Sequence, residues 1–370
     1  TYALSCHLWN QADNITFSYC NFNAPETGTV TTLCPFSVSG SATAATTTGS
    51  SGNNIVLNNC AMNGGYYSSV FSSAASSSFS GNQLNNCVLN NFYAYGAYNL
   101  NQNGTIISGN VIERPTRVGF TTFYGVYLSA CSNVFVEKNK IRRPFETDIT
   151  LTTTGYGIYL TGDASVGNEN KLANNLISDF NGNGAHYGIY STGSDYWQAY
   201  HNTISFDHLA STTSSTTYGV YSSGTLAYDI RNNIISITRG GSGIKYGLYF
   251  VTPLAAVSNF NDVYVNAAAG TNNFGYNGVA QTTLSAWQTA TSLDLNSTNL
   301  IPAFVSPSTG DYSQGNGFIF DLGTPLGILS DINGVTRSST NPDIGAYEVG
   351  GGDIVPPFIS FTNIPSSICT

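Results

Sequence analysis

Charge is scarce in this chain. Of its 370 residues only 8% are Asp, Glu, Lys or Arg, with 11 basic against 20 acidic side chains and a formal net charge of −9. A basic pair, Arg142-Arg143, is the densest positive feature. That excludes nucleic acid and anionic membrane surfaces as partners, because both are recognised through clustered Lys and Arg. Methionine occurs once and tryptophan three times, and strong helix formers are few, whereas Ser, Thr, Asn and Gly fill the polar positions. No run of 18 apolar residues exists, so no segment is long enough to cross a bilayer as a helix, and membrane insertion is not expected. Seven cysteines are present, yet none has the spacing of a zinc site. Calcium is conceivable at Asp163, Glu169 or Asp195, although the Asp-rich nonapeptide repeat of calcium-loaded solenoids is missing; no cofactor is otherwise implied.

What the chain does have is repetition. The phrase Tyr-Gly-x-Tyr begins at Tyr95, Tyr124, Tyr156, Tyr187, Tyr218 and Tyr246, in steps of 29, 32, 31, 31 and 28 residues. A second phrase, Asn followed two residues later by Ile or Val, keeps phase with it at Asn110, Asn139, Asn175, Asn202, Asn233 and Asn261, with fainter copies at Asn58 and Asn85. Such a period marks a solenoid, in which each unit buries its apolar face only by stacking on its neighbours. The apolar residues alternate with period two, as in Val126 and Leu128, Ile158 and Leu160, or Ile235 and Ile237, so the units are strands and not helices. A third apolar run between the phrases, such as Ile106-Ile107 or Val134-Phe135-Val136, gives three strands per coil. The chain is therefore predicted to be all-β, a parallel β-helix, right-handed by the crossover rule.

Strand parity assigns the side chains. With Ala97, Val126, Ile158, Ile189, Val220 and Leu248 pointing inward, Tyr98, Tyr127, Tyr159, Tyr190, Tyr221 and Tyr249 form an outer ladder. Six rings at roughly 4.8 Å intervals would make a flat aromatic strip about 25 Å long, suited to the apolar faces of sugar rings. The recurrent Asn is read as a structural ladder at a corner that needs the left-handed conformation. Cys60 and Cys87, two residues after Asn58 and Asn85, are aligned with the inward Ile of later coils and, with Cys20, read as a buried stack.

The domain boundaries follow from where the repeat fades. Residues 1–52 are predicted to be a truncated or irregular first coil with a long loop, residues 53–266 the coils, and residues 267–349 a β-rich closing region. The Gly-rich stretch 350–357 reads as a hinge, and 358–370 as the start of a further, immunoglobulin-like module. The beginning at Thr1, in running strand sequence, suggests a piece of a longer mature protein.

Enzymatic β-helices need groups at matching positions on adjacent coils. Asp179 and Asp207 come near this, missing a shared register by one, with His208 as a neighbouring base; His186 and His201 share no register. Arg142, Arg143, Glu146 and Asp148 form the densest charged cluster. The longest excursions, residues 142–154 and 207–217, would carry such a site.

The passage Thr282 to Pro325, closing on DINGVTR (Asp331 to Arg337) and NPDIGAYE (Asn341 to Glu348), resembles the C-terminal part of bacterial surface proteins of the right-handed β-helix, choice-of-anchor Q type. It departs from them where they carry a Ser-Pro-Ala-Ile-Asp-like phrase, since this chain has Gly317 to Asp321. The resemblance implies secretion to the bacterial cell surface, in related cases by type IX secretion, with secretion or surface-anchoring machinery as a partner. Two functions stay open: a non-catalytic adhesin-like rod that contacts polysaccharide or another glycan through the tyrosine ladder, and a polysaccharide lyase or glycoside hydrolase with its site on the loops.

Overall fold

A computed structural model describes residues 3–349, apart from 11, 50–51, 76–78, 254–255 and 316. The proposed hinge, the proposed further module and Cys369 lie outside the described residues.

Three long sheets are built from strands between Ala3 and Gln281. The first has ten parallel strands, from Ala3–Leu8 to Asn272–Tyr276, closed by the antiparallel Ala280–Gln281; the second and third have nine parallel strands each. One coil gives one strand to each sheet, as Tyr95–Leu100, Ile106–Ser108 and Val111–Glu113 do. Nine coils result, and the parallel β-solenoid with three strands per coil is the architecture that the two phased phrases predict. It starts earlier than they do. Ala3–Leu8, Ile15–Ser18 and Asn21–Asn23 already make a full coil within residues 1–52, and Leu33–Val38 opens the next one before the Ser/Thr-rich loop.

The Tyr-Gly-x-Tyr phrase has a steric cause. A Cβ on Gly157 would stand 2.5 Å from the Gly188 carbonyl oxygen and 2.8 Å from Ile177 Cγ2, and one on Gly188 would meet Gly219 O at 2.6 Å and Ile204 Cγ2 at 2.7 Å. Each glycine lets an isoleucine of the third sheet press on the backbone of the first. Gly157 and Ile158 both face inward, so the strand places two consecutive residues in the core and Tyr156 and Tyr159 both end up outside. Strict alternation would have put only one of them there.

The asparagine phrase builds a second internal device. Asn110 Nδ2 donates to Asn139 Oδ1 at 2.9 Å, and the same bond links Asn139 to Asn175, Asn175 to Asn202, Asn202 to Asn233 and Asn233 to Asn261 at 2.9–3.0 Å. Each carbonyl oxygen also accepts the backbone N–H of the rung below, and each amide reaches back to a main-chain carbonyl, for example Asn202 Nδ2 to Leu172 O at 2.9 Å. The left-handed residue is the one before the rung: Lys138, Asn174, His201 and Asn232 have φ of 54–59°. The rung itself is spared that conformation and keeps its side chain inside.

Cysteine continues this ladder, which corrects the alignment of Cys60 and Cys87 with the inward isoleucines. Val88 pairs with Val111 and Ala61, so Cys87 and Cys60 fall level with Asn110. Cys87 N donates to Asn110 Oδ1 at 2.8 Å, and Cys87 Sγ approaches Leu57 O at 3.6 Å, imitating the asparagine amide with a weaker donor. The described cysteines are all free thiols.

Residues 267–349 are less strand-rich than predicted. After Asn272–Tyr276 a helix, Leu284–Thr291, lays Trp287 over the end of the core against Phe250 and Phe274, its indole N–H bonded to Asp294 at 2.8 Å. The chain then runs back along the outside of the third sheet. Leu176 is buried with Tyr312, Ala346 and Tyr347, and Ile234 with Ile319 and Ile344. This arm explains why strands Leu176–Ser178, Thr203–Phe206 and Ile234–Ile237 are buried on both faces, whereas Ala61–Asn63 and Val88–Asn90 bury only their inward residue.

Candidate functional site

The outer face of the first sheet carries two columns of tyrosine. Tyr98, Tyr127, Tyr159, Tyr190, Tyr221 and Tyr249 follow one another at 4.8–5.1 Å between centroids, and Tyr276 extends the column at 4.2 Å. Beside it stand Tyr67, Tyr95, Tyr124, Tyr156, Tyr187, Tyr218 and Tyr246, stacked at 4.5–5.7 Å. The sequence had already written both tyrosines of each phrase; the second column went unassigned because parity without the glycine offset sends it inward.

Ring angles define the surface. Neighbours within a column are nearly parallel, mostly 4–22° apart, while rings across the columns meet at close to a right angle, as for Tyr124 and Tyr127 at 86° or Tyr187 and Tyr190 at 78°. Parallel rings need planes about 3.5 Å apart. With centroids near 4.9 Å, each ring must lean roughly 45° from the stacking direction to keep that contact. Two columns leaning in opposite senses then give the near-perpendicular cross contacts. The strip is a herringbone rather than a flat plane: ring faces are largely spent on neighbours, and half-exposed edges and phenol groups face out. Burial, reinforced by neighbouring phenols, pushes Tyr98 and Tyr159 up to about 12 and Tyr221 upward, and burial raises Tyr127 as well, so these four phenols keep their protons through the physiological range.

The structure brings Asp179 and Asp207 together. The Tyr312 hydroxyl lies 2.9 Å from Asp179 Oδ1 and 3.2 Å from Asp207 Oδ2. A phenol has one proton, so two ionised carboxylates cannot both be served. The chain of bonds closes when Asp207 is protonated and donates to Tyr312, which donates to Asp179. In keeping with this, burial and then the adjacent Asp179 raise the Asp207 pKa. Tyr312 is fully buried and occupies the gap where a glycosidic oxygen would have to sit. His208 makes no hydrogen bond to either carboxylate among the described residues; burial and Arg239 lower its pKa.

This yields a pH test. An acid whose folded pKa exceeds its unfolded value adds stability below the unfolded pKa and loses it as pH rises through the folded one. Asp207→Asn copies the protonated carboxyl. Urea unfolding is expected to find it more stable than the parent at pH 8 and no more stable at pH 4; an unchanged difference at the two pH values would contradict the shared-proton arrangement.

The other candidates serve the fold. His186 is buried between Phe145, Phe180 and Phe206 and held neutral by burial and Arg239. His201 accepts from Asn232 through Nε2 at 2.9 Å, which leaves Nδ1–H for Asp343 O at 3.0 Å. Asp195 Oδ1 accepts the Thr225 and Leu226 N–H groups of the next coil, and Asp163 likewise accepts from Asp195 N. Glu169 caps Gly167 N at 2.9 Å. The calcium candidates thus spend their oxygens on turns. Among the described residues no group of three or more His, Cys, Asp and Glu is disposed to hold a metal ion.

Missed altogether were the buried arginines. Arg114 lies among Phe92, Phe120, Phe123 and Phe145 and bonds to the Tyr93, Thr121 and Pro144 carbonyls. Arg117 holds the Gly28, Asn91 and Gly119 carbonyls, and Arg239 those of Gly182 and Gly184. Arg114 and Arg117 follow the strand Val111–Glu113 and Arg239 follows Ile234–Ile237, but nothing local says that they turn inward.

A family model described as periplasmic copper-binding protein (NosD) matches residues 35–205, a little under half of the chain. No curated protein and no solved structure matches. The chain is a parallel β-helix repeat protein similar over those coils to a periplasmic family, and a place outside the cytoplasm fits it. Copper does not fit the residues present. Within 35–205 the His201 nitrogens are both hydrogen-bonded, His186 is buried among Phe145, Phe180 and Phe206 with the Arg239 charge nearby, and Cys131 Sγ sits alone against the Asn99 and Ser129 carbonyls.

Proposed function

We propose that this chain is a non-catalytic rod of the bacterial cell surface, an adhesin-type module whose tyrosine strip contacts a glycan. The herringbone carries the reading. It offers a regular, uncharged row of ring edges and phenols on the outer face of the first sheet, with Tyr98, Tyr127, Tyr159, Tyr190, Tyr221 and Tyr249 as the ligand-contacting column. Sugar C–H groups would lie in the furrows between leaning rings, and phenols would exchange hydrogen bonds with sugar hydroxyls. The closing sequence from Asp331 to Glu348 and its resemblance to choice-of-anchor Q proteins support export to the cell surface, with type IX secretion as the route and anchoring machinery as the partner. The ties on Asp179 and Asp207 weigh against a lyase or hydrolase built on that pair.

Tyr159→Ala with Tyr190→Ala is the test. Binding on an array of neutral and acidic glycans is expected to fall at least tenfold with the far-ultraviolet spectrum unchanged. Full binding by a folded double variant would leave the strip as scaffolding.

A further inference from the structure

A cleft of about 260 Å³ opens where the returning arm crosses the fifth and sixth coils, lined by Arg142, Arg143, Glu146, Asp179, Asn181 and the turn Pro307 to Gly310. Glu113 Oε2 accepts from Arg142 Nε at 2.9 Å and from Arg143 Nη2 at 2.5 Å, so one carboxylate is shared by two guanidinium groups. Among the described residues Arg142 is held through Nε alone, which fixes its plane and leaves the Nη groups turned to the cleft without an acceptor. Gly310, at φ 81°, would place a Cβ 3.3 Å from Arg142 Nη1, so the turn stands directly against that fork. The opposite charge is also present. Asp179 is oriented by Tyr312 and by the Ser178 hydroxyl at 3.1 Å, and Glu146 accepts from Asn181 Nδ2 at 3.0 Å.

This mixture narrows the ligand. A bare anion would meet Asp179 and Glu146, and a bare cation would meet two guanidinium groups. A sugar acid presents both partners at once: a carboxylate for the planar Arg142 fork and hydroxyl donors for the acidic wall. The volume is below the roughly 300–1,000 Å³ of clefts that enclose drug-sized ligands, which suits one ring of a longer chain.

We propose that this cleft is a subsite for a uronic acid unit of an acidic polysaccharide, with Arg142 binding the carboxylate and Asp179 and Glu146 accepting ring hydroxyls. It rests on the glycan reading above but uses a different surface, so the two stand or fall separately.

Calorimetry with linear tri-galacturonate and with its methyl ester, which keeps the rings and loses the charge, tests it. The intact chain is expected to bind the acid and to bind the ester at least tenfold more weakly, with affinity for the acid falling as salt is raised. Arg142→Gln removes the fork and is expected to cost about 10–100-fold for the acid and to leave the ester unaffected. Arg142→Lys, which keeps a point charge, should fall between. Equal affinity for acid and ester, or an Arg142→Gln variant that melts like the parent and binds the acid as well, overturns the proposal. Loss of acid binding in Tyr159→Ala/Tyr190→Ala with Arg142→Gln unaffected would assign the acid to the strip and also overturn it. Retained acid binding in the tyrosine variant, lost in Arg142→Gln, supports the cleft as a site apart from the strip, whose own test is the glycan array.

Discussion

Asn202→Ala is expected to lower the unfolding free energy by about 3–5 kcal/mol, because it removes a rung from the middle of a buried ladder and orphans the groups on both sides. Asn202 Oδ1 accepts from Asn175 N at 3.0 Å and from Asn175 Nδ2 at 2.9 Å, while its own amide donates to Leu172 O and Asn233 Oδ1. Asn175, Asn202 and Asn233 are 0–1% exposed, so water cannot step in without opening the core. An orphaned buried donor or acceptor costs roughly 1–3 kcal/mol, and relaxation recovers part of the sum. The comparison variant comes from the chain itself. Asn110→Cys extends the cysteine run of Cys60 and Cys87 by one rung, at a place already joined to Cys87 N, and is expected to cost less than half as much. Urea denaturation followed by far-ultraviolet circular dichroism measures both. A loss below 1 kcal/mol for Asn202→Ala would mean that the ladder adds little beyond strand pairing.

The ladder also shows why some features were legible in sequence and others were not. Coil repeats align equivalent positions, so much of what recurs once per coil is readable: the three strands, the inward aliphatics, the Asn rungs and the outward column formed by the second Tyr of each phrase. Errors arose where one residue shifts the register. Asn85-Asn86-Cys87 matches Ser108-Gly109-Asn110, so the conspicuous Asn85 ends a strand of the second sheet and the cysteine takes the rung. Ordinary parity likewise cannot foresee two inward residues in a row, which is what Gly157 and Ile158 are. Contacts that join distant segments leave no periodic trace. Tyr312 meets Asp179 across 133 residues, and a difference of one in register hid the fact that a third residue from the arm brings Asp179 and Asp207 to a single proton. The outward positions of the third sheet gave no hint of the arm either: Leu176 and Ile234 beneath it are apolar, but so are Ala61, Val88 and Val111 at the same register on coils it does not cover.

That arm is fastened by the charged residues of its closing sequence, and Arg337→Ala is expected to release it. Arg337 Nη1 donates to Glu348 Oε2 at 2.9 Å and to Asp343 O at 3.0 Å; Nη2 donates to Asn174 Oδ1 at 2.7 Å and to Gly345 O at 2.8 Å. One guanidinium therefore ties the arm to itself and to the turn before a ladder rung. The ion pair is nearly sealed, with side-chain exposures of 1% and 6%. Asp331 ties the same segment by accepting Asn333 N, Val335 N and Glu348 N. Burial, helped by the nearby Glu348 and Asp321 carboxylates, pushes the Asp343 pKa up to about 6, against the backbone N–H groups of Asp321 and Val349 that donate to its oxygens and pull it down. Removing Arg337 strands Glu348 as an uncompensated buried charge, which costs about 3–5 kcal/mol. The nine coils have their own continuous core, so the loss is expected to be local: limited proteolysis should cut within residues 300–349 while the coils stay resistant and the far-ultraviolet spectrum is kept. Arg337→Lys should give an intermediate result, because an ammonium cannot span Glu348 and Asn174 as the planar fork does. An arm that stays uncut in Arg337→Ala would show that Leu176, Ile234 and the apolar residues packed on them hold it without the clasp.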